Sequence, residues 1–118
     1  MQPSPQAEHT MPLIQITLTG PQAAPATIQR LQQEMTRLMA SILHKEATLT
    51  VVSVTQLPAG AFTANGQAVA TGASLQALIT AGTNSAVEKA AFIFAAKTLL
   101  TATFGPSNAP LYVALHEL

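Results

Sequence analysis

Leu13-Ile14-Gln15-Ile16-Thr17-Leu18-Thr19-Gly20 falls on Leu75-Gln76-Ala77-Leu78-Ile79-Thr80-Ala81-Gly82 when the chain is shifted by 62 positions. The same shift carries Leu49-Thr50-Val51 onto Leu111-Tyr112-Val113. Between them Ala24, Thr36, Leu38, Ala40 and Ala47 meet Ala86, Thr98, Leu100, Ala102 and Ala109 with no gap. Taken singly these are ordinary Ala, Leu and Thr matches. A strand, a glycine turn, a helix and a second strand staying in phase together is what marks a duplicated βαβ unit. One such unit is too short to bury a core, so two copies must share a sheet.

Within the first unit, Leu13 to Thr19 alternates aliphatic and polar residues, which predicts a strand, and Gly20-Pro21 ends it. Pro25 suits a first helical turn. Ile28, Leu31, Met35, Leu38, Met39 and Ile42 follow at spacings of three and four, with Gln29, Arg30, Gln33, Glu34 and Arg37 largely opposite; this predicts an amphipathic helix to about His44. Thr48 to Gln56 is rich in β-branched residues and reads as a second strand. Leu57 to Gly60 breaks it, and Asn65-Gly66 predicts a hairpin turn in a short excursion over Ala61 to Thr71.

The second unit repeats the order. A strand is expected over Ser74 to Thr80. Ser85 with Glu88 fits a capping box, which predicts a helix from Ala86 to about Thr103. Val87, Ala90, Phe92, Ile93, Phe94, Leu99 and Leu100 nearly encircle that helix, so it is expected to be covered on more than one side. Gly105-Pro106 stops it, and Pro110 to His116 is the last strand. The fold class is α/β (α+β): a tandem β-α-β repeat, 12–56 and 74–118, making a four-stranded mixed sheet with both helices on one face. The other face is expected to keep alternating Ile, Leu and Val and to need a cover, most simply further copies of the chain.

The chain has 118 residues, one domain's worth, of which 8% are charged, with no Asp and zero net charge. About a quarter is usual. So sparse a charge favours burial of surface between subunits, and scattered Lys and Arg favour neither nucleic acid nor an anionic membrane. There is no Cys, hence no disulfide framework or thiolate chemistry, and a cytoplasmic enzyme fits. Residues 1–11 (MQPSPQAEHTM) read as a disordered or extended leader without the basic start and apolar core of a signal peptide. The apolar run from Ala86 is interrupted by Glu88 and Lys89 and is too short to span a bilayer. His9, His44 and His116 have no carboxylate or Cys at ligand spacing, Ser53 and Ser74 have no His-Asp arrangement, and each glycine reads as a lone turn residue. No metal and no cofactor are expected.

Met11-Pro12-Leu13-Ile14-Gln15-Ile16, the lysine after the first helix, the Ser74-Leu75 strand start and the late Tyr112-Val113 strand occur in the order that resembles the tautomerase superfamily, in particular its branch around macrophage migration inhibitory factor. The resemblance covers residues 12 to 118 in layout and implies a homotrimer. It implies that Pro12, as an N-terminal secondary amine, is the general base that shuttles a proton between the carbon and the enol oxygen of a small, aryl α-keto acid such as phenylpyruvate. An α-amino group titrates near about 7.7 to 8.0, and a nearby cation or apolar walls favour its neutral form. The same resemblance implies that Lys45 binds the substrate carboxylate, that the backbone N–H of Leu78 receives a substrate oxygen, and that Tyr112 reaches the site of a neighbouring subunit. From the residues alone, Pro12 can merely open an edge strand, Lys45 is first an ordinary cation at a helix C-terminus, and Tyr112 packs across strands almost as readily.

The chain departs from that branch at Ala114, where its members carry Asn, and in stopping at Leu118 without an aromatic tail. The paired arginines of the dehalogenase and decarboxylase branches are missing, since Arg30 and Arg37 fall on the polar face of the first helix. With residues 1–11 attached, the Pro12 nitrogen is an amide and has no basic lone pair. The alternative is therefore a non-catalytic tautomerase-fold trimer serving as a structural or interaction protein.

Overall fold

Alternation decides which side of the first strand is buried. The computed structural model describes residues 12–58, 60–104 and 111–118; the leader, the Gly105-Pro106 stop and Pro110 lie outside them. In β1 (Leu13–Thr19) Ile14, Ile16 and Leu18 are buried on one face, while Leu13, Gln15 and Thr17 occupy the other. Gly20 turns the chain at φ 124°, and a Cβ there would meet the Ala70 carbonyl oxygen and Thr71 Cγ2 at 3.0 Å, so only glycine fits.

Helix α1 (Pro25–Leu43) starts on its proline and buries Leu31, Met35, Met39 and Leu43, one residue per turn. It ends as His44 enters the left-handed region at φ 60° and Lys45 N–H donates to the Met39 carbonyl at 3.2 Å. The following strand is shorter than its composition predicts. Ala47–Leu49 forms a 3₁₀ turn, closed by Thr50 N–H on the Ala47 carbonyl and Thr50 Oγ1 on the Glu46 carbonyl, and β2 runs over Val51–Gln56. Local threonine-to-backbone bonding here outcompetes strand propensity. Asn65 and Gly66, at φ 53° and 72°, make the expected turn between β3 (Thr63–Ala64) and β4 (Gln67–Ala68). Then come β5 (Gly72–Ile79), α2 (Ala86–Phe104) and β6 (Leu111–Glu117).

The main sheet has the order β2-β1-β5-β6. Both outer pairs are parallel and the central pair is antiparallel. The register obeys the repeat: Leu13 pairs with Val51, and 62 residues on, Leu75 pairs with Val113. At the centre Leu13 faces Leu78, the counterpart of Ile16, while Ile16 faces Leu75, the counterpart of Leu13. The two units are thus related by a pseudo-two-fold axis through the β1–β5 pair. Both helices cover the face that presents Ile14, Ile16, Leu18, Ala73, Leu75, Ala77 and Ile79, and Phe92, Ala96 and Leu100 complete the core from α2.

Three expectations need correction. The repeat is gapless only in its strands. The helices superpose at a shift of 61, with Pro25 on Ala86, Leu43 on Phe104, and buried Leu31, Met35 and Met39 on buried Phe92, Ala96 and Leu100. Counted from the matched Gly20 and Gly82, the way into α2 is one residue shorter, and burial selects the 61-residue frame over the scattered identities of the 62-residue one.

The open sheet face is also more polar than expected. Its rows, read from the pairing, are Val51-Leu13-Leu78-His116, Ser53-Gln15-Gln76-Ala114 and Thr55-Thr17-Ser74-Tyr112. The Ile and most of the Val residues belong to the helix-covered face.

Third, α2 is not enclosed by its own chain. Where α1 turns Arg30, Gln33, Glu34 and Arg37 outward, α2 carries Ala91, Phe94, Ala95 and Thr98, and Val87 and Phe94 are 78% and 74% exposed. Among the described residues no helix is long and apolar enough to cross a membrane.

Candidate active site

The N-terminal end of β1 lies beside the turn where Lys45, His44 and Glu88 come together. Pro12 is buried there, and its carbonyl accepts Val51 N–H at 2.9 Å, which starts the β1–β2 ladder. Leu78 lies on the adjacent strand, in register with Leu13. Lys45 reaches the same end from the α1–β2 connection, six residues before Val51. Its Nζ donates to Thr83 Oγ1 at 2.8 Å, in the turn that follows β5. The ammonium forms no ion pair within 4 Å among the described residues. Partial burial pulls its pKa below the usual lysine value, although the Glu88 and Glu117 carboxylates pull the other way.

The turn that receives Lys45 is held on both sides. Ala81 N–H donates to the Leu118 carbonyl at 3.0 Å, and Leu118 N–H to the Ile79 carbonyl at 2.9 Å. On the helix side Asn84 Nδ2 donates to the Leu43 carbonyl at 2.9 Å and to Glu88 Oε1 at 3.0 Å. The expected capping box is formed: Ser85 N–H donates to Glu88 Oε1 and Glu88 N–H to Ser85 Oγ. His44, without a partner in sequence, meets Glu88 Oε2 at 3.3 Å through the tertiary structure. The link of Thr83 and Asn84 to the end of α1 spans about forty positions and leaves no local signal in the sequence.

Glu88 carries its own expected result. The Ser85 backbone N–H, then the Asn84 side chain, hold its carboxyl below the ordinary glutamate range. A depressed carboxylate contributes stability that is present above its unfolded pKa and lost as pH falls through its folded one. The Ser85 amide signal should therefore titrate in acid, below the ordinary glutamate range, and Glu88→Gln should abolish that titration while keeping the helix; proton and nitrogen NMR through the acid range reads both.

Tyr112 is not brought to this end. It pairs with Ser74, which pairs with Thr17, five residues along β1 from Pro12. That is about 16 Å along the strand at the usual rise, on an edge strand, and the side chain is 69% exposed. Arg37 pairs with Glu34 on the outer surface of α1 at 3.0 Å, far from Pro12's strand. A groove of about 340 Å³, lined by Thr19, Gly20, Gly60, Ala68, Val69 and Ala70, opens at the opposite end of β1 and holds none of the candidate residues. Among the described residues no three His, Cys, Asp or Glu side chains gather as a metal would require.

No family profile and no curated protein matches the chain. Solved structures do. Native fused 4-OT superposes with a TM-score of 0.80 at 18% identity, covering 90% of this chain and 86% of that one. A macrophage migration inhibitory factor-like protein from Entamoeba histolytica gives 0.73 at 17%, covering 92% and 89%. A protein crystallised after inactivation by 2-oxo-3-pentynoate gives 0.78 at 17%, covering 90% and 85%. The chain has the tautomerase fold. Among the neighbours with this fold are a symmetric and an asymmetric trimer of fused 4-OT. Within the tautomerase fold, the sheet end that carries Pro12, Leu78 and Lys45 is the candidate active site of this chain.

Proposed function

We propose that the protein is a cofactor-independent keto–enol tautomerase of a small α-keto acid, with the amine of Pro12 as general base once residues 1–11 are absent. The observation that supports the reading is a tautomerase fold in which Lys45, at the sheet end where β1 begins, is tied to Thr83 through one of its three ammonium protons. The amine takes the enol hydroxyl proton as the carbonyl forms, and its ammonium returns a proton to the adjacent carbon. One proton moves from oxygen to carbon and nothing else is consumed. Lys45 holds the carboxylate as a point charge. The Leu78 N–H and Tyr112 complete the reading only as expectations. Tyr112 has no part in the site of its own chain and would serve that of a neighbour in a homotrimer.

The reagent bound to one structural neighbour supplies the test. In 2-oxo-3-pentynoate the alkyne is conjugated to a ketone, so a neutral secondary amine adds to it, forming an N–C bond while the carbon beside the ketone takes the proton. Chain beginning at Pro12 should gain one adduct, mapped by peptide mass to its N-terminus, and full-length chain none. Adducts elsewhere, or none in either form, would overturn the reading.

A second reading has its own support, because Met11 precedes Pro12 in this chain. A natural product that keeps MQPSPQAEHTM by intact mass is a non-catalytic tautomerase-fold protein. For either reading the low charge, the exposed Val87 and Phe94 of α2 and the trimers among the structural neighbours favour a homotrimer, and sedimentation equilibrium at micromolar concentration should give three times the chain mass. Lys45→Ala should change stability by no more than about 0.5 kcal/mol, since the side chain reaches solvent. It should raise KM for phenylpyruvate with kcat little changed, as loss of a ground-state contact does.

A further inference from the structure

We propose that Thr83 is a positioning residue for Lys45, fixing the ammonium as an anion site at the Pro12 end of the sheet. This rests on the tautomerase reading and goes beyond it, by assigning to the β5–α2 turn the placement of the carboxylate-binding charge. The hydrogen-bond bookkeeping is specific. A threonine hydroxyl has one proton and two lone pairs. Thr83 Oγ1 lies 2.6 Å from the Thr80 carbonyl, which takes the proton, and 2.8 Å from Lys45 Nζ, which donates to a lone pair. The third contact, Asn84 Oδ1 at 3.3 Å, is the longest. One of three ammonium protons is thereby committed and two remain for a carboxylate.

A lysine side chain is long and loses much rotamer freedom when held, so an untethered one binds an anion less well than a tethered one. The tether is useful only if its anchor is rigid. Here the anchor is locked by Leu118 on one side and by Asn84 on the Leu43 carbonyl on the other. Gly82, at φ 77°, makes the turn that brings the Thr83 hydroxyl back over Thr80. The acidic neighbours of Lys45 are themselves engaged elsewhere, Glu88 by Ser85, Asn84 and His44, and Glu117 by Lys89 at 3.3 Å.

The test is a double-mutant cycle read by binding and by kinetics. The probe is 3-phenylpropanoate, a carboxylate that cannot tautomerise, titrated into full-length chain and into chain beginning at Pro12; phenylpyruvate turnover is measured on the latter. Thr83→Val should weaken the probe and raise KM by roughly threefold to tenfold, the range for one hydrogen bond to a partly exposed charge, with kcat unchanged. Thr83→Ser should restore both values. In a Lys45→Ala background Thr83→Val should have no further effect, which a general loosening of the turn would not reproduce. Lys45-dependent binding that ignores Thr83, or a Thr83→Val effect equally large without Lys45, overturns the proposal and leaves the active-site reading standing. Probe binding by neither form, or binding that ignores Lys45, overturns the anion site itself and the proposal with it.

Discussion

Chain that begins at Pro12 should ketonise phenylpyruvate enol about 10² to 10⁴ times faster than full-length chain, the usual contribution of a positioned general base. The difference lies in one atom. With Met11 attached, the Pro12 nitrogen is a planar tertiary amide whose lone pair is delocalised into the carbonyl. Freed, it is a secondary amine, part of which is unprotonated at neutral pH. The leader carries no apolar periodicity in its sequence, so its removal should leave the fold intact. Pro12→Ala in the shortened chain keeps an amine but loses the ring that fixes its lone pair, and should fall well below the parent in kcat. Stopped-flow absorbance of the enol, with circular dichroism as the folding control, makes the comparison. A well-folded shortened chain that is inert toward phenylpyruvate and several other enols would leave a tautomerase-fold scaffold without this chemistry.

Phe92→Ala should cost about 3 to 5 kcal/mol, a large part of the 5 to 15 kcal/mol that holds a typical domain folded. Phe92 is the largest fully buried side chain and stands where α1 places Leu31. It belongs to one buried cluster with Leu31 and Met35 of α1 and Ile14 and Leu75 of the sheet, and a close-packed core relaxes only partly into the space a lost ring leaves. The companion substitution is Phe94→Ala, two residues along the same helix and 74% exposed. In the isolated chain it should change stability by no more than about 0.5 kcal/mol. Chemical denaturation of both variants reads the contrast. Near-equal losses would mean that the outward face of α2 is covered in the assembled protein.

Legibility in the sequence followed the range of the interaction. Strand alternation in Leu13 to Thr19, the one-in-four apolar stripe of α1, the Ser85–Glu88 box and the Asn65-Gly66 turn are contacts within a few residues, and each could be read directly. The repeat predicted a four-stranded mixed sheet with both helices on one face, while the order β2-β1-β5-β6 and its two-fold centre came from the structure. The helix offset of 61 was hidden, since the identities of Thr36, Leu38 and Ala40 with Thr98, Leu100 and Ala102 favour a shift of 62 and only burial selects the other frame. Tyr112 illustrates the limit for a site residue: its chemistry is evident, but its distance from Pro12 is a property of strand order and register.

By itself, then, the sequence determined the elements, their order and the proline and lysine that flank the first unit, because local backbone preference and side-chain periodicity are written at single residues. Only the tertiary structure decided that the β5–α2 turn closes over Lys45, that Asn84 ties it to the end of α1, and that His44 finds Glu88. Those contacts join residues about forty positions apart. Nothing in a chain's local chemistry specifies which distant turn will meet which helix end until the buried faces of Ile14, Leu31, Leu75 and Phe92 have packed and fixed the helices on the sheet.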